Sequence, residues 1–232
     1  MSVLSGVRPE ALLFDFGGTL DSEGLPWKVR FLRLWREEVG PIPQEHFDPA
    51  FYGATDALVG AVPVTLSLKE TVERIVAGLA TRLASGEGSP SERVGARFTQ
   101  ETLATLESRV EWLAALAGEY RLGIVSNFYG NLATVCAEAG IAPHVSAAID
   151  STAVGCTKPG AAIFQAALDA LATVPENAVF IGDSVPRDMT GARALGIRHV
   201  LLRPEGAENA PPCCCPGDPV IRRLEELSEV LA

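Results

Sequence analysis

The chain has 232 residues, 47% apolar and 21% charged, with 29 acidic against 19 basic side chains for a formal charge of −10. That length buries a substantial core in one large domain or two small ones, and the acidic balance argues against non-specific binding to nucleic acid or anionic membranes. No stretch approaches the ~18 apolar residues of a membrane span, and MSVLSGVRPEALLF lacks the basic start and long apolar stretch of a signal peptide, so a soluble cytoplasmic protein is expected.

In chain order, the first element is a strand at 11–16, running into LLFDFGGTLD at 12–21. Asp15 falls at its C-terminal tip, and Gly17, Gly18 and Thr19 follow in a turn tight enough to aim backbone amides at a ligand. Residues 22–118 carry helical rather than strand periodicity. Phe31, Leu34 and Trp35 recur at helical spacing within 27–39, and Ser67 and Glu70 form a capping-box pair ahead of Leu68, Val72, Ile75, Val76 and Leu79. After a loop at 85–90, Val94, Phe98, Leu103, Leu106, Val110 and Leu113 mark one or two further helices. These stripes read as core rather than as a ligand box. Strands at 121–126, 144–149, 177–182 and 198–203 then alternate with helices at 130–139, 160–172 and 188–195, and a last helix spans 219–231. This rhythm implies a parallel sheet covered on both faces. The expected fold class is α/β, with a core of 1–21 and 119–232 and a helical lobe, 22–118, inserted after the first strand and poised over its end.

The five cysteines are an odd number with no CxxC pair. Cys136 and Cys156 read as small buried or half-buried residues. The consecutive Cys213, Cys214 and Cys215 read as a thiol-rich surface loop, because adjacent cysteines rarely meet disulfide geometry and a metal would need ligands from elsewhere.

Chemistry concentrates at four strand tips, where open α/β sheets bind their ligands. Asp15 is placed to attack phosphorus in line and split one hard step into two through an aspartyl-phosphate. The Gly18 amide and neighbouring backbone, with Thr19, are placed to receive phosphate oxygens. Ser126, at the next tip, can hydrogen-bond the same group but also fits a helix N-cap; Asn127 is a phosphate contact or a turn former. Lys158, one of only three lysines, precedes Pro159 at the mouth of a helix, where a cation offsets carboxylates and steadies charge on a transferring group. Asp183 follows Ile181-Gly182, and Asp188 comes five residues later; Asp188 alone also fits a helix N-terminus. Together these groups suit phosphoryl transfer assisted by a divalent cation, with Asp15, Asp183 and Asp188 supplying the oxygens that Mg²⁺ prefers.

On these residues the chain resembles the haloacid dehalogenase superfamily of aspartate-nucleophile hydrolases. The Asp15 turn, the Ser126 strand end, Lys158-Pro159 and Gly182-Asp183…Asp188 fall in that family's order, and Ser151 and Gly155 fit its usual approach to the lysine. The resemblance implies a Rossmann-like parallel sheet core with an inserted helical cap domain. It implies Mg²⁺ held by Asp15, Asp183 and the backbone carbonyl of Gly17, with Asp188 as a metal or supporting carboxylate. The implied substrate is a small phosphorylated molecule, with no nucleic-acid or membrane partner.

One position departs from that pattern. In the family's phosphatases, the residue two beyond the nucleophile is usually a second aspartate, which protonates the leaving oxygen and later activates water; here it is Gly17. Such acid–base help is worth about 10²- to 10⁴-fold. Three readings follow: a leaving group needing no proton, such as an acyl or aryl phosphate; a stand-in acid such as Asp21, Glu23 or a cap residue; or a ligand-binding protein with little turnover. Asp21 is more often structural in this motif. Dehalogenases of the family also lack that aspartate but work without metal, which the intact Asp183/Asp188 pair argues against. Phosphonatases need a cap lysine, and neither Lys28 nor Lys69 has a matching context. Trp27, Lys28, Arg30, Phe128 and Tyr129 are near enough to the tips to meet a substrate, but read first as packing, surface-charge and loop residues.

Overall fold

The computed structural model describes residues 8–84, 89–205 and 218–231. Its strands are β1 Ala11–Phe14, β2 Arg121–Ser126, β3 Ala147–Asp150, β4 Ala178–Gly182, β5 Arg198–Leu202 and β6 Val220–Ile221. All pair in parallel in one sheet, in the order β3-β2-β1-β4-β5-β6. β1 lies inside the sheet, with Phe14 level with Ile124 on one side and Ile181 on the other. Central strands covered on both faces must be apolar on both, and alternate side chains divide accordingly. Leu12, Phe14, Ile124 and Ile181 join one buried cluster, and Leu13, Val125 and Phe180 join another. Gly123 of β2 is small for a packing reason: a Cβ there would stand 2.8 Å from Leu13 Cδ2.

Between β1 and β2 the chain forms α1 Trp27–Glu38, α2 Gln44–Asp56, α3 Leu68–Arg82, α4 Ser89–Ser108 and α5 Val110–Ala117. α1 packs on α4, α4 on α3, and α3 on α2, around aromatic contacts such as Phe31 stacked on Phe98 at 4.1 Å. α3 opens with the capping box read from sequence: Glu70 N donates to Ser67 Oγ at 3.2 Å and Ser67 N to Glu70 Oε2 at 3.0 Å. α5 lies against β2, with Trp112 edge-on to Phe14 at 5.8 Å. The later helices are α6 Leu132–Glu138, α7 Ser151–Val154, α8 Ala161–Ala170, α9 Thr190–Ala194 and α10 Leu227–Leu231. Leu132 and Val135 of α6 cover the first face, and Phe164, Ala167 and Ala192 of α8 and α9 the second. The fold is α/β, a Rossmann-like parallel sheet with an inserted helical cap. Among the described residues no helix is long and apolar enough to cross a membrane.

Several elements differ from the sequence reading for local physical reasons. α2 escaped it because Pro49 and Gly53 interrupt its helical pattern; Pro49 lies inside the helix, where proline removes a donor. The third strand starts at Ala147 rather than 144, after a tight turn at Ala142–His144. The helix expected at 188–195 shortens to Thr190–Ala194, preceded by a wide turn over Val185–Met189 that contains Pro186. The single helix expected at 219–231 is three elements: β6, a turn at Leu224–Glu226, and α10. Val220 and Ile221 satisfy helical spacing, but β5 offers an open edge, and Ile221 O accepts from Arg203 N at 2.8 Å. Residues 85–88 of the expected loop, and Cys213, Cys214 and Cys215, lie outside the described residues.

Candidate active site

Asp15 leaves β1 with its amide still bound to Ile181 O at 2.9 Å, so its carboxylate springs from a sheet-paired backbone. Phe16–Leu20 forms a wide turn in which Gly18 takes φ +103°, a conformation open to glycine at little cost. A Cβ at Gly18 would also stand 2.7 Å from Asp183 Oδ2, so its absence lets the tips of β1 and β4 close on each other.

Lys158, in the loop before α8, reaches both acidic tips. Its Nζ lies 2.5 Å from Asp15 Oδ1 and 2.7 Å from Asp188 Oδ1. The second approach pairs the same ammonium with a second buried carboxylate. Asp188 Oδ2 accepts from Ser184 N at 3.0 Å. Asn127 holds the lysine's backbone from both sides: Lys158 N donates to Asn127 Oδ1 at 2.8 Å, and Asn127 Nδ2 donates to Lys158 O at 3.1 Å. The Thr19 hydroxyl sits 3.2 Å from Asp183 Oδ1 and 3.4 Å from Asp15 Oδ2, fully buried between two acceptors. Ser126 ends β2 one residue beyond the position level with Asp15. The loop after it is pinned by Phe128 N donating to Ser151 Oγ at 3.1 Å and Gly130 N to Asp150 Oδ2 at 2.8 Å.

Two carboxylates therefore hold one ammonium, with a third, Asp183, close beside them. Burial would lower the Lys158 pKa, but Asp15 and Asp188 outweigh it and hold the lysine firmly protonated. Asp188 is pushed up to about 6, first by burial and against the pull of Lys158. Asp183 is raised well above the usual carboxylate range by lost hydration and then by Asp15 and Asp188. Asp15, Asp183 and Asp188 each bring an oxygen within 4.8 Å of the others. An all-oxygen set of three carboxylates against one ammonium carries excess negative charge and fits a hard divalent cation such as Mg²⁺.

The structure gathers Asp15, Thr19, Lys158, Asp183 and Asp188 into direct contact and sets Asn127 on Lys158. The Gly18 amide, expected to receive phosphate, donates instead to Asp21 Oδ1 at 2.7 Å. Asp21 is fully buried, and its Oδ2 accepts from Trp27 Nε1 at 2.5 Å and Arg30 Nη1 at 2.9 Å. Burial raises its pKa despite Arg30. Glu23 is tied to the Arg109 guanidinium, so both carboxylates considered as stand-in acids are held by other partners. Lys28 pairs with Asp48 at 2.6 Å. The indole of Trp27 lies where a side chain at 17 would project, with Nε1 3.2 Å and Cδ1 3.3 Å from the Cβ position of Gly17.

Arg109 was not singled out from sequence. Buried at the α4–α5 junction, it donates to the carbonyls of Thr19 at 2.7 Å, Leu20, and Ser22 at 3.1 Å. It thereby clasps the turn that carries Asp15. The available signal was a guanidinium set among the apolar positions Leu106, Val110 and Leu113.

A family model described as a haloacid dehalogenase-like hydrolase matches residues 9–196. A phosphoserine phosphatase of Thermus thermophilus is 42% identical over 77 residues, 32% of this chain and 31% of that protein. The haloacid dehalogenase-like hydrolase domain-containing protein 3 of Bos taurus is 34% identical over 111 residues, 48% of this chain and 43% of its own length. The matched stretch thus spans less than half of either curated relative. Among solved structures, the hydrolase YfnB of Bacillus subtilis bound to magnesium aligns over 97% of this chain and 99% of its own, with TM-score 0.59 and 20% identity, a likeness of fold.

Proposed function

Because the chain belongs to the haloacid dehalogenase-like hydrolase family, we propose that it is a Mg²⁺-dependent phosphatase acting on a small phosphorylated metabolite with a good leaving group. The observation that carries this reading is Lys158 bridging Asp15 at 2.5 Å and Asp188 at 2.7 Å, with Asp183 alongside. Asp15 attacks phosphorus, the bond to the leaving oxygen breaks, and the electron pair departs with that oxygen. Water then attacks the aspartyl-phosphate and returns Asp15 as a carboxylate, its proton passing to phosphate or solvent. Lys158 pairs with Asp15 and offsets charge on the phosphoryl group, and Ser126 offers it a hydroxyl. Asn127 and Thr19 act as positioning residues, one on Lys158 and one between carboxylates. Asp15, Asp183, Asp188 and the Gly17 carbonyl would hold Mg²⁺, which would supply charge neutralisation to the phosphate. The helices α1 to α4 of the inserted segment close over the tips and exclude water, while α5 packs on the sheet. Cytoplasmic residence fits the free thiols of Cys136 and Cys156.

The reading is tested by hydrolysis of p-nitrophenyl phosphate, acetyl phosphate and a sugar-phosphate panel with and without Mg²⁺, using Asp15→Asn as control. Aryl and acyl phosphates should be cleaved faster than alkyl ones, and only by the unsubstituted enzyme. Mg²⁺-dependent binding of phosphate without turnover would make the chain a ligand-binding member of the family.

A further inference from the structure

We propose that Trp27, the first residue of α1, is the specificity determinant of this site: its indole crowds the space of the absent side chain at 17 and restricts the enzyme to leaving groups that depart as anions without a proton. This deepens the phosphatase reading and rests on it.

Gly17 has φ −78° and ψ 108°, which any residue can adopt, so backbone conformation does not demand glycine there. Space does. A Cβ at 17 would meet Trp27 Nε1 at 3.2 Å, Cδ1 at 3.3 Å and Cε2 at 3.7 Å, so any side chain there needs the indole to give by a few tenths of an ångström. The ring cannot give way easily. Its Nε1 donates to buried Asp21 Oδ2 at 2.5 Å, and Asp21 is itself fixed by Arg30 at 2.9 Å and the Gly18 amide at 2.7 Å. Around it stand Phe98 at 5.0 Å and Phe128 at 5.7 Å, both edge-on. The indole N–H is already committed to Asp21 and is far too weak an acid to protonate a leaving oxygen.

The leaving oxygen therefore meets an aromatic edge where a proton donor would have stood. Phenols, enols and carboxylic acids leave as stabilised anions and lose little; a sugar or glycerol alkoxide loses the help worth about 10²- to 10⁴-fold. The substrate class assigned is an aryl, enol or acyl phosphate. The cap supplies the residue that excludes the acid, so substrate choice and cap position are set by the same side chain.

The test compares 4-nitrophenyl phosphate with glycerol phosphate, reading the ratio of kcat/KM, in Gly17→Asp, Trp27→Phe, Trp27→Leu and Gly17→Asp/Trp27→Leu enzymes. Gly17→Asp alone should gain nothing on glycerol phosphate. The double variant should raise the alkyl-to-aryl ratio at least about tenfold over either single one, as a restored acid permits. Trp27→Phe, which keeps an aromatic edge, should leave the ratio near that of the unsubstituted enzyme. A second readout needs no turnover: Gly17→Ala should lower Tm with Trp27 present and by clearly less with Leu at 27. An equal gain from Gly17→Asp alone, no gain in the double variant, or the same Tm loss in both backgrounds overturns the assignment. If no phosphate ester or acyl phosphate is cleaved by any form, the phosphatase reading fails, while the Tm comparison still decides whether Trp27 owns the space.

Discussion

The buried pair between Arg30 and Asp21 should be one of the most sensitive points in the molecule. Arg30 is 4% exposed and Asp21 0%, so solvent screening gives no discount. Replacing Arg30 with Met keeps much of the packing on Phe98, over which the guanidinium carbon sits at 4.2 Å. It removes the 2.9 Å pair with Asp21 and the 2.7 Å hydrogen bond to Thr102. Stranding one member of a buried ion pair destabilises by about 3–5 kcal/mol. At roughly 2–4 °C per kcal/mol for a chain this long, Tm should fall by about 6–20 °C. Thermal and urea unfolding at pH 7 measure this, and Asp21→Asn with the double variant completes a cycle. The double variant should cost less than the sum of the singles, by about 0.5–3 kcal/mol.

The sign of the pH dependence follows from burial. Asp21 is raised above its ordinary range even with Arg30 beside it, so between the unfolded and folded pKa the folded state holds the extra proton, and stability falls as pH rises. Without Arg30 the carboxyl rises further, so the Arg30→Met deficit should shrink from pH 8 to pH 5. A loss under about 1 kcal/mol that adds simply with Asp21→Asn and ignores pH would refute a dry, coupled pair.

Asp15→Asn should abolish turnover yet leave Tm at pH 7 equal or higher, because it removes one of three mutually crowded carboxylates, of which only two pair with Lys158; a clear drop in Tm would contradict that crowding. Gly182→Ala places a methyl on the Asp188 carboxylate, whose Oδ2 is pinned by Ser184 N at 3.0 Å. Mg²⁺ affinity should fall at least about tenfold, as when a ligand's support is lost, with the circular dichroism spectrum retained; unchanged affinity would free Asp188 of any part in the cation site. Mg²⁺ binding should release protons, since Asp188 titrates at about 6 and Asp183 is raised as well. Affinity should therefore climb with pH through that range. Calorimetry in buffers of different ionisation enthalpy reads the proton count, and a count of zero at pH 6 would exclude both carboxylates.

The site was legible because its parts are strand tips: a buried apolar run ending in a polar residue marks where a chain leaves a parallel sheet, and Asp15, Ser126 and Asp183 all announce themselves that way. Lys158 was legible by scarcity, as one of three lysines. What escaped the sequence is carried by partners distant along the chain. Arg109 meets the carbonyls of Thr19 and Ser22, and carbonyls leave no mark in a residue pattern. The Gly18 amide looked available for phosphate until Asp21 was seen to accept from it. α2 was hidden by Pro49 and the last strand by the open edge of β5, cases in which tertiary packing overrides local propensity. Gly17 lies between the two kinds. Its missing carboxylate is plain from the sequence alone, but the reason for it is not, because that reason is an indole ten residues away. An absent acid read from sequence is a defect that a single substitution should repair. With Trp27 Nε1 3.2 Å from the Cβ position, the glycine is half of a packed pair, and repair requires changing both members.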